Sequence, residues 1–307
     1  MSVRIYTHDA CLAHDAGTGH AERAQRLIAV TEALRAGFGD LDWQVAPRAQ
    51  RAHLLRVHTP ALLALVLETR SEETIALDPD TMLSPHSAEA ALRAAGAAVA
   101  AVDAVFAGGT TRAFCAVRPP GHHATAGTAM GFCLFNSIAI AAAHALEHHG
   151  LQRVAIVDFD VHHGNGTQDI FDREPRVMYA SSHQAPLYPG SGGVEEHGVG
   201  NVRNAPLPAG TGSRRFRDAW GQGLLPAVDA FRPQLLLVSA GFDAHWRDPL
   251  AQLQLDADDY LWLTGELAGI ADRHAGGRMV SMLEGGYDLQ ALRECSVAHV
   301  GGMRTSD

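Results

Sequence analysis

Short apolar runs and longer helical stripes alternate along almost the whole chain. Residues 3–6, 113–117, 154–159, 177–181, 235–239 and 279–283 are rich in Val, Ile and Leu and mostly lack polar alternation. They predict strands covered on both faces. Helical patterns occupy residues 22–36, 87–106, 135–149, 214–231, 257–274 and 289–300. The stripe at 87–106 is Ala-rich, with Ser84 or Ser87 as a cap and Gly108-Gly109 beyond its end. This alternation predicts an α/β fold on a mainly parallel sheet. Residues 186–200 and 204–212, rich in Pro and Gly, read as surface loops, and loops at the carboxyl ends of parallel strands are where sites are built. No repeat, linker or shift in composition divides residues 1–307, so a single domain is expected.

Composition acts mainly by exclusion. With 47% hydrophobic and 19% charged residues among 307, disorder, collagen and coiled coil are excluded as the main state. Twenty-four Lys and Arg against 34 Asp and Glu give a net charge of −10, which argues against nucleic acid or an anionic membrane as partner. The most apolar stretch, 94–107, is interrupted by Asp103, and residues 1–10 lack the apolar core of a secretion signal. Cys11, Cys115, Cys133 and Cys295 form no CxxC pair, so reduced thiols and a cytoplasmic location are expected. Histidine is abundant, with 18 copies and the doublets His122-His123, His148-His149 and His162-His163.

The candidate chemistry lies where apolar strands end. The run at 154–159 leads into Asp158, Asp160 and His162, spaced by two, so their side chains leave on one side of the strand. Carboxylates on an apolar strand are unfavourable unless paired or bound to metal. Asp160 and His162 therefore make a two-pronged grip on a divalent ion, and the turn Gly164-Asn165-Gly166 lets the backbone bend close to it. The run at 235–239 is followed by Asp243, at the same edge of the sheet. One nitrogen and two carboxylate ligands leave a position open, as in a catalytic metal site; zinc fits, and so do Fe(II) and Co(II).

A third strand ends in Pro119-Pro120-Gly121-His122-His123, where imidazole can carry a proton. A fourth ends in Glu284-Gly285-Gly286-Tyr287, where a phenol can donate to a developing oxyanion. Plainer readings exist. The acidic strand alone is also compatible with a structural ion pair. His148-His149, before Gly150, reads as a complement to the helix dipole on a solvated surface, and His20 and Arg23 as a surface cap. Four strand ends opening on one face of one sheet favour a site.

These segments resemble the histone deacetylase superfamily, in particular its class II and bacterial histone-deacetylase-like amidohydrolase branch. The resemblance is carried, in the family's order, by Gly19-His20-Ala21-Glu22-Arg23, Arg118 to Ala124, Gly131 to Asn136, Asp158 to Gln168, Ser239 to Ala244 and Leu283 to Tyr287. It implies the arginase/deacetylase α/β fold, with about eight parallel strands flanked by helices, and zinc on Asp160, His162 and Asp243. His123 would be the general base and acid, and His122, hydrogen-bonded to Asp158, its electrostatic aid. Asn165 would partner His123 in the class II manner, and Tyr287 would stabilise the oxyanion.

The same resemblance implies a narrow slot between Phe132 and Tyr188 for an acyl-lysine stem, and an acidic rim residue, Asp80. It also implies a potassium ion behind the zinc, held by Asp158, Ser181 and the backbones of Asp160, His162 and Ser182. Two departures stand out: Ala21 replaces the family's proline, and Leu250 stands where polyamine-selective relatives carry glutamate. The expected activity is zinc-dependent deacetylation of N-ε-acyl-lysine or a related acylated amine, with an acetylpolyamine or other small amide as the alternative substrate. A module that binds acyl-lysine without turnover would need no proton shuttle, and an arginase-like reaction would need carboxylates for a second metal.

Overall fold

All six apolar runs become parallel strands. In the computed structural model, which describes residues 3–305, the strands are β1 (Arg4–Thr7), β2 (Asp42–Val45), β3 (Ile75–Ala76), β4 (Met82–Leu83) and β5 (Arg112–Cys115). They continue with β6 (Val154–Asp158), β7 (Val177–Gln184), β8 (Val202–Leu207), β9 (Leu235–Ala240) and β10 (Met279–Leu283). β3 and β4 form a small antiparallel pair; the other eight make one parallel sheet in the order β2-β1-β5-β10-β9-β6-β7-β8. Every residue of β5, β6, β7, β9 and β10 is buried, as strands covered by helices on both faces should be.

Two sheet strands lack an apolar run because they lie at the edges. β2 is half-exposed, and its Asp42 pairs with Arg4 at 2.6 Å. β8 carries Pro206, which an edge strand tolerates because its outer side needs no N–H donor. Its span corrects the expected loop at 204–212, whereas residues 186–200 are irregular as expected.

The helices are α1 (Ala24–Gly37), α2 (Arg51–Leu54), α3 (Pro60–Glu68), α4 (Ser87–Phe106) and α5 (Ser137–His148). Then come α6 (Asn165–Phe171), α7 (Ser213–Ala219), α8 (Leu225–Phe231), α9 (Ala257–Ala275) and α10 (Leu289–Arg304). α7 and α8 fill the stripe expected at 214–231, joined by a π-helical turn at Trp220–Leu224. Pro226 follows that turn; its ring lacks an N–H and crowds the carbonyl one turn back, so the helix widens there. Among the described residues, no helix is long and apolar enough to cross a membrane.

Candidate active site

The sheet order brings the candidate chemistry together. β5, β10, β9 and β6 are consecutive neighbours, and their carboxyl ends lead respectively to His122-His123, Tyr287, Asp243 and the Asp158–His162 segment. Leu283 pairs with Ala240, and Ser239 with Asp158, so three of these ends stand level.

Asp160, His162 and Asp243 are buried and each offers a donor atom to one point, all within 4.8 Å of one another. His162 Nδ1 lies 3.2 Å from Asp160 Oδ1 and 3.2 Å from Asp243 Oδ2. Asp160 Oδ2 accepts from the Gly285 amide and Asp243 Oδ1 from the Val161 amide, which fixes the far side of each carboxylate. Asp243 Oδ2 is buried without a hydrogen-bond partner. A buried carboxylate oxygen left bare and aimed at an imidazole nitrogen and a second carboxylate needs a cation. The donor set therefore fits a divalent ion of the zinc class.

Glycine makes room for this cluster. A Cβ on Gly241 would come within 2.0 Å of Asp160 Oδ2, and one on Gly285 within 2.1 Å of Asp243 Oδ2. Burial opposes charge on His162, yet the two carboxylates outweigh it and raise the imidazole to about 10. Burial and the neighbouring charge of Asp160 raise Asp243. A metal bound through His162 must displace the proton that these carboxylates favour.

The paired histidines occupy opposite electrostatic settings. His122 Nδ1 is 3.0 Å from Asp158 Oδ2, with Asp160 beyond. Burial disfavours its charge, but the two aspartates prevail and lift it to about 10. His123 is pushed well below its ordinary value by burial and by the charges of His122 and His162. Its Nδ1 is 2.8 Å from Asn165 Oδ1, while the Asn165 amide nitrogen faces Met130 Sδ at 3.5 Å. Asn165 Oδ1 can only accept, so His123 carries its proton on Nδ1 and keeps a lone pair on Nε2.

Asn165 opens α6, where a turn is expected. Both flanking glycines are required by close approach: a Cβ on Gly164 would meet Asp158 Oδ2 at 2.2 Å, and one on Gly166 the Ala124 carbonyl at 2.2 Å.

A cleft of about 260 Å³ opens above this floor, lined by Asp80, His123, Gly131, Phe132, His162, Leu187, Tyr188, Leu250 and Tyr287. Every expected substrate-contacting residue is thus among its walls. The Tyr188 ring stands edge-on to His123 at 5.1 Å, and Phe132 edge-on to Tyr287 at 5.8 Å. Burial and the nearby Asp243 raise the Tyr287 phenol well above its usual value, so it stays protonated. His20 is no surface cap: its ring meets Phe132 at 4.7 Å and its Nε2 lies 3.1 Å from the Asp80 carbonyl. Ser181 pairs with Asp158 across β6 and β7, and Ser182 Oγ accepts from the Trp220 indole at 3.0 Å.

Several supporting interactions escape sequence reasoning. Phe132 has φ +67°, a strained setting for a side chain, and its amide is held by Thr81 Oγ1 at 3.0 Å. Glu284 Oε2 accepts from the amides of Gly121 (2.6 Å) and His122 (3.2 Å), tying the histidine turn to β10. Asp248 accepts from the amides of Leu250 (2.9 Å) and Tyr287 (2.8 Å), joining the cleft wall to the phenol. Tyr179 donates to Asp158 Oδ2 at 3.0 Å. Beneath Tyr287 lies a buried ion cluster of Glu22, Arg26 and Arg118. Glu284, Glu22 and Arg118 fall in segments that carry the family resemblance, but only a carboxylate or guanidinium in an apolar setting marked them; Thr81 gives no signal.

Comparison with known proteins gives this arrangement its relatives. Residues 20–303 match the histone deacetylase domain family. The chain is 40% identical over 301 residues to a histone deacetylase-like amidohydrolase of Pseudomonas aeruginosa, covering 95% of this chain and 79% of that protein. It is 38% identical over 298 residues to a probable deacetylase of Archaeoglobus fulgidus, covering 94% and 82% respectively. The crystal structure of the HDA15 HD domain superposes with a TM-score of 0.91 at 34% identity, covering 98% of this chain and 88% of that one. The eight-stranded parallel sheet flanked by helices is thus the arginase/deacetylase fold. A family match along nearly the whole length, with the same fold beneath it, establishes that the chain belongs to the histone deacetylase family.

Proposed function

We propose that this chain is a single-domain, zinc-dependent amidohydrolase that deacetylates N-ε-acyl-lysine or a related acylated amine. The observation that carries the reading is the bare, buried Asp243 Oδ2 converging with Asp160 and His162 on the floor of a cleft beside a neutral His123. Asp160, His162 and Asp243 would hold the zinc, which when bound supplies Lewis-acid polarisation of the acyl carbonyl and a more acidic water.

The protein's own groups divide the proton work. His123, neutral because burial and the cationic His122 disfavour its charge, takes the proton of the attacking water on Nε2. It then returns that proton to the departing amine nitrogen. Asn165 fixes the tautomer that leaves Nε2 free. His122, kept cationic by Asp158 and Asp160, offsets negative charge gathering in the site. Tyr287 donates its hydroxyl to the carbonyl oxygen as charge develops there. Phe132 and Tyr188 flank the substrate stem, and Asp80 supplies an acceptor at the rim.

Leu250 in the cleft wall offers no carboxylate to a second ammonium, which favours acyl-lysine over acetylpolyamine. Asp158 and Ser181 would share a potassium ion, with Ser182 contributing its backbone because Trp220 engages its side chain. Four buried free thiols suit a reducing, cytoplasmic setting. Measuring kcat/KM on acetyl-lysine peptides, longer acyl-lysines and acetylspermidine tests the reading. Acetyl- or acyl-lysine should lead; hydrolysis of acetylspermidine alone would overturn the substrate class, and turnover of none would overturn the activity.

A further inference from the structure

The doublet His148-His149, read from sequence as solvated helix end, is gathered with the half-exposed Asp103 and the buried His144. Asp103 of α4 lies against α5, its Oδ1 2.7 Å from His144 Nε2 and 2.9 Å from His149 Nε2. His144 and His148, one turn apart on α5, stack with centroids 4.8 Å apart and planes 13° from parallel. The His149 ring lies on Phe106 at 4.5 Å. Each of Asp103, His144, His148 and His149 can offer one donor atom, and these four atoms lie within 4.8 Å of one another. His144 is buried and His148 exposed, so the cluster is walled on one side and open to solvent on the other.

We propose that this cluster is a second metal site, for a borderline divalent transition ion such as zinc or nickel. Three imidazole nitrogens and one carboxylate oxygen suit that class; hard calcium or magnesium would require more oxygen donors. A His pair four residues apart presents both rings on one helix face, the spacing such a grip needs. The site is separate from the catalytic one. α5 ends where the chain turns into the amino end of β6, whereas the catalytic groups leave the carboxyl ends of the strands.

Arg56 is the built-in competitor. Its Nη1 is 2.9 Å from His144 Nδ1, and its Nε pairs with Glu147 at 2.8 Å. Since arginine only donates, His144 Nδ1 accepts and its proton sits on Nε2, facing Asp103. Metal binding through Nε2 moves that proton to Nδ1 and turns Arg56 out toward Glu147, with no net proton released from this ring.

The test is native mass spectrometry of the full, untagged chain equilibrated with zinc, and separately with nickel. The variant His148→Ala with His149→Ala should carry one ion fewer than wild type, whatever the catalytic site holds. His148→Ala alone, at an exposed side chain, should weaken the corresponding step of a zinc titration at least tenfold while leaving circular dichroism unchanged. Equal ion counts in wild type and the double variant, or an unchanged titration for His148→Ala, would overturn the assignment.

Discussion

Replacing Glu22 by Gln removes one charge from the ion cluster beneath Tyr287. Glu22 is fully buried and bonds Arg118 through both carboxylate oxygens, Arg118 Nη2 lying 2.5 Å away; Arg26 Nη1 approaches at 3.0 Å and His14 Nε2 at 3.5 Å. Burial alone would raise its pKa, but Arg118, then His14 and Arg26, outweigh this and bring it from 4.5 down to about 2. Because the folded value lies below the unfolded one, the contribution is complete above pH 4.5 and lost as pH falls toward 2. That depression corresponds to about 3 kcal/mol at neutral pH. Stranding Arg118 and Arg26 in the interior sets the expected loss for Glu22→Gln at about 3–5 kcal/mol.

The substitution should reach the chemistry too. Arg26 donates to the carbonyls of Glu284 and Gly286, each at 2.5 Å, and its guanidinium lies 4.9 Å from the Tyr287 ring. Urea unfolding at pH 7 reads the stability and kcat reads the phenol's placement. The gap between variant and wild type should narrow as pH falls below 4.5. A stability change within about 0.5 kcal/mol, the range of an innocuous surface substitution, would refute this reading of the cluster.

Tyr287→Phe should lower kcat about 10²–10³-fold with little change in KM or stability, the loss typical of one oxyanion donor; near wild-type turnover would remove the phenol from the reaction. Thr81→Val deletes the acceptor of the Phe132 amide and the donor to Asp80 (3.0 and 3.2 Å). Leaving that amide unsatisfied, at about 1–3 kcal/mol, should lower kcat/KM by about 5- to 150-fold, and an unchanged kcat/KM would show that Phe132 holds its strained conformation unaided. Burial keeps His14, His58 and His183 down at about 4 and His163 and His299 at about 3, all below the ordinary 6.5. The unfolded chain binds these protons first, so stability is full above pH 6.5 and falls by about 1.4 kcal/mol per pH unit for each histidine as acidification proceeds; urea midpoints that stay flat from pH 7 to 5 would contradict this.

The parts of the fold legible in sequence are those whose residues are covered on both faces. β6, β9 and β10 read as apolar runs, and α4 ends where its pattern predicts. The edge strands β2 and β8 do not, since the half-exposed Asp42 and the exposed Arg203 interrupt any run. α3 is concealed for the opposite reason: 60–68 is apolar almost throughout, leaving no helical stripe, although Thr59 caps it and Pro60 opens it.

In the site, Asp160, His162, Asp243 and Tyr287 are legible because a polar group at the end of an apolar strand is anomalous. Glu22, Arg26 and Arg118 lie up to 96 residues apart and meet only through the fold. Thr81 works through one hydroxyl, which leaves no pattern. Asp103 and the His144–His149 cluster show the same limit: His148 is an exposed residue of the last turn of α5, as the local chain implies, but the contacts of His144 and His149 with Asp103 arise only where α4 packs against α5.

The proposed hydrolysis depends on a bound metal, so activity in the metal-free chain is the decisive measurement. After exhaustive chelation and confirmation by elemental analysis that the protein is metal-free, turnover of an acetyl-lysine peptide should vanish, and added zinc should restore it. Undiminished turnover by the stripped protein would contradict the assignment of Asp160, His162 and Asp243 as the ligands on which the reaction depends.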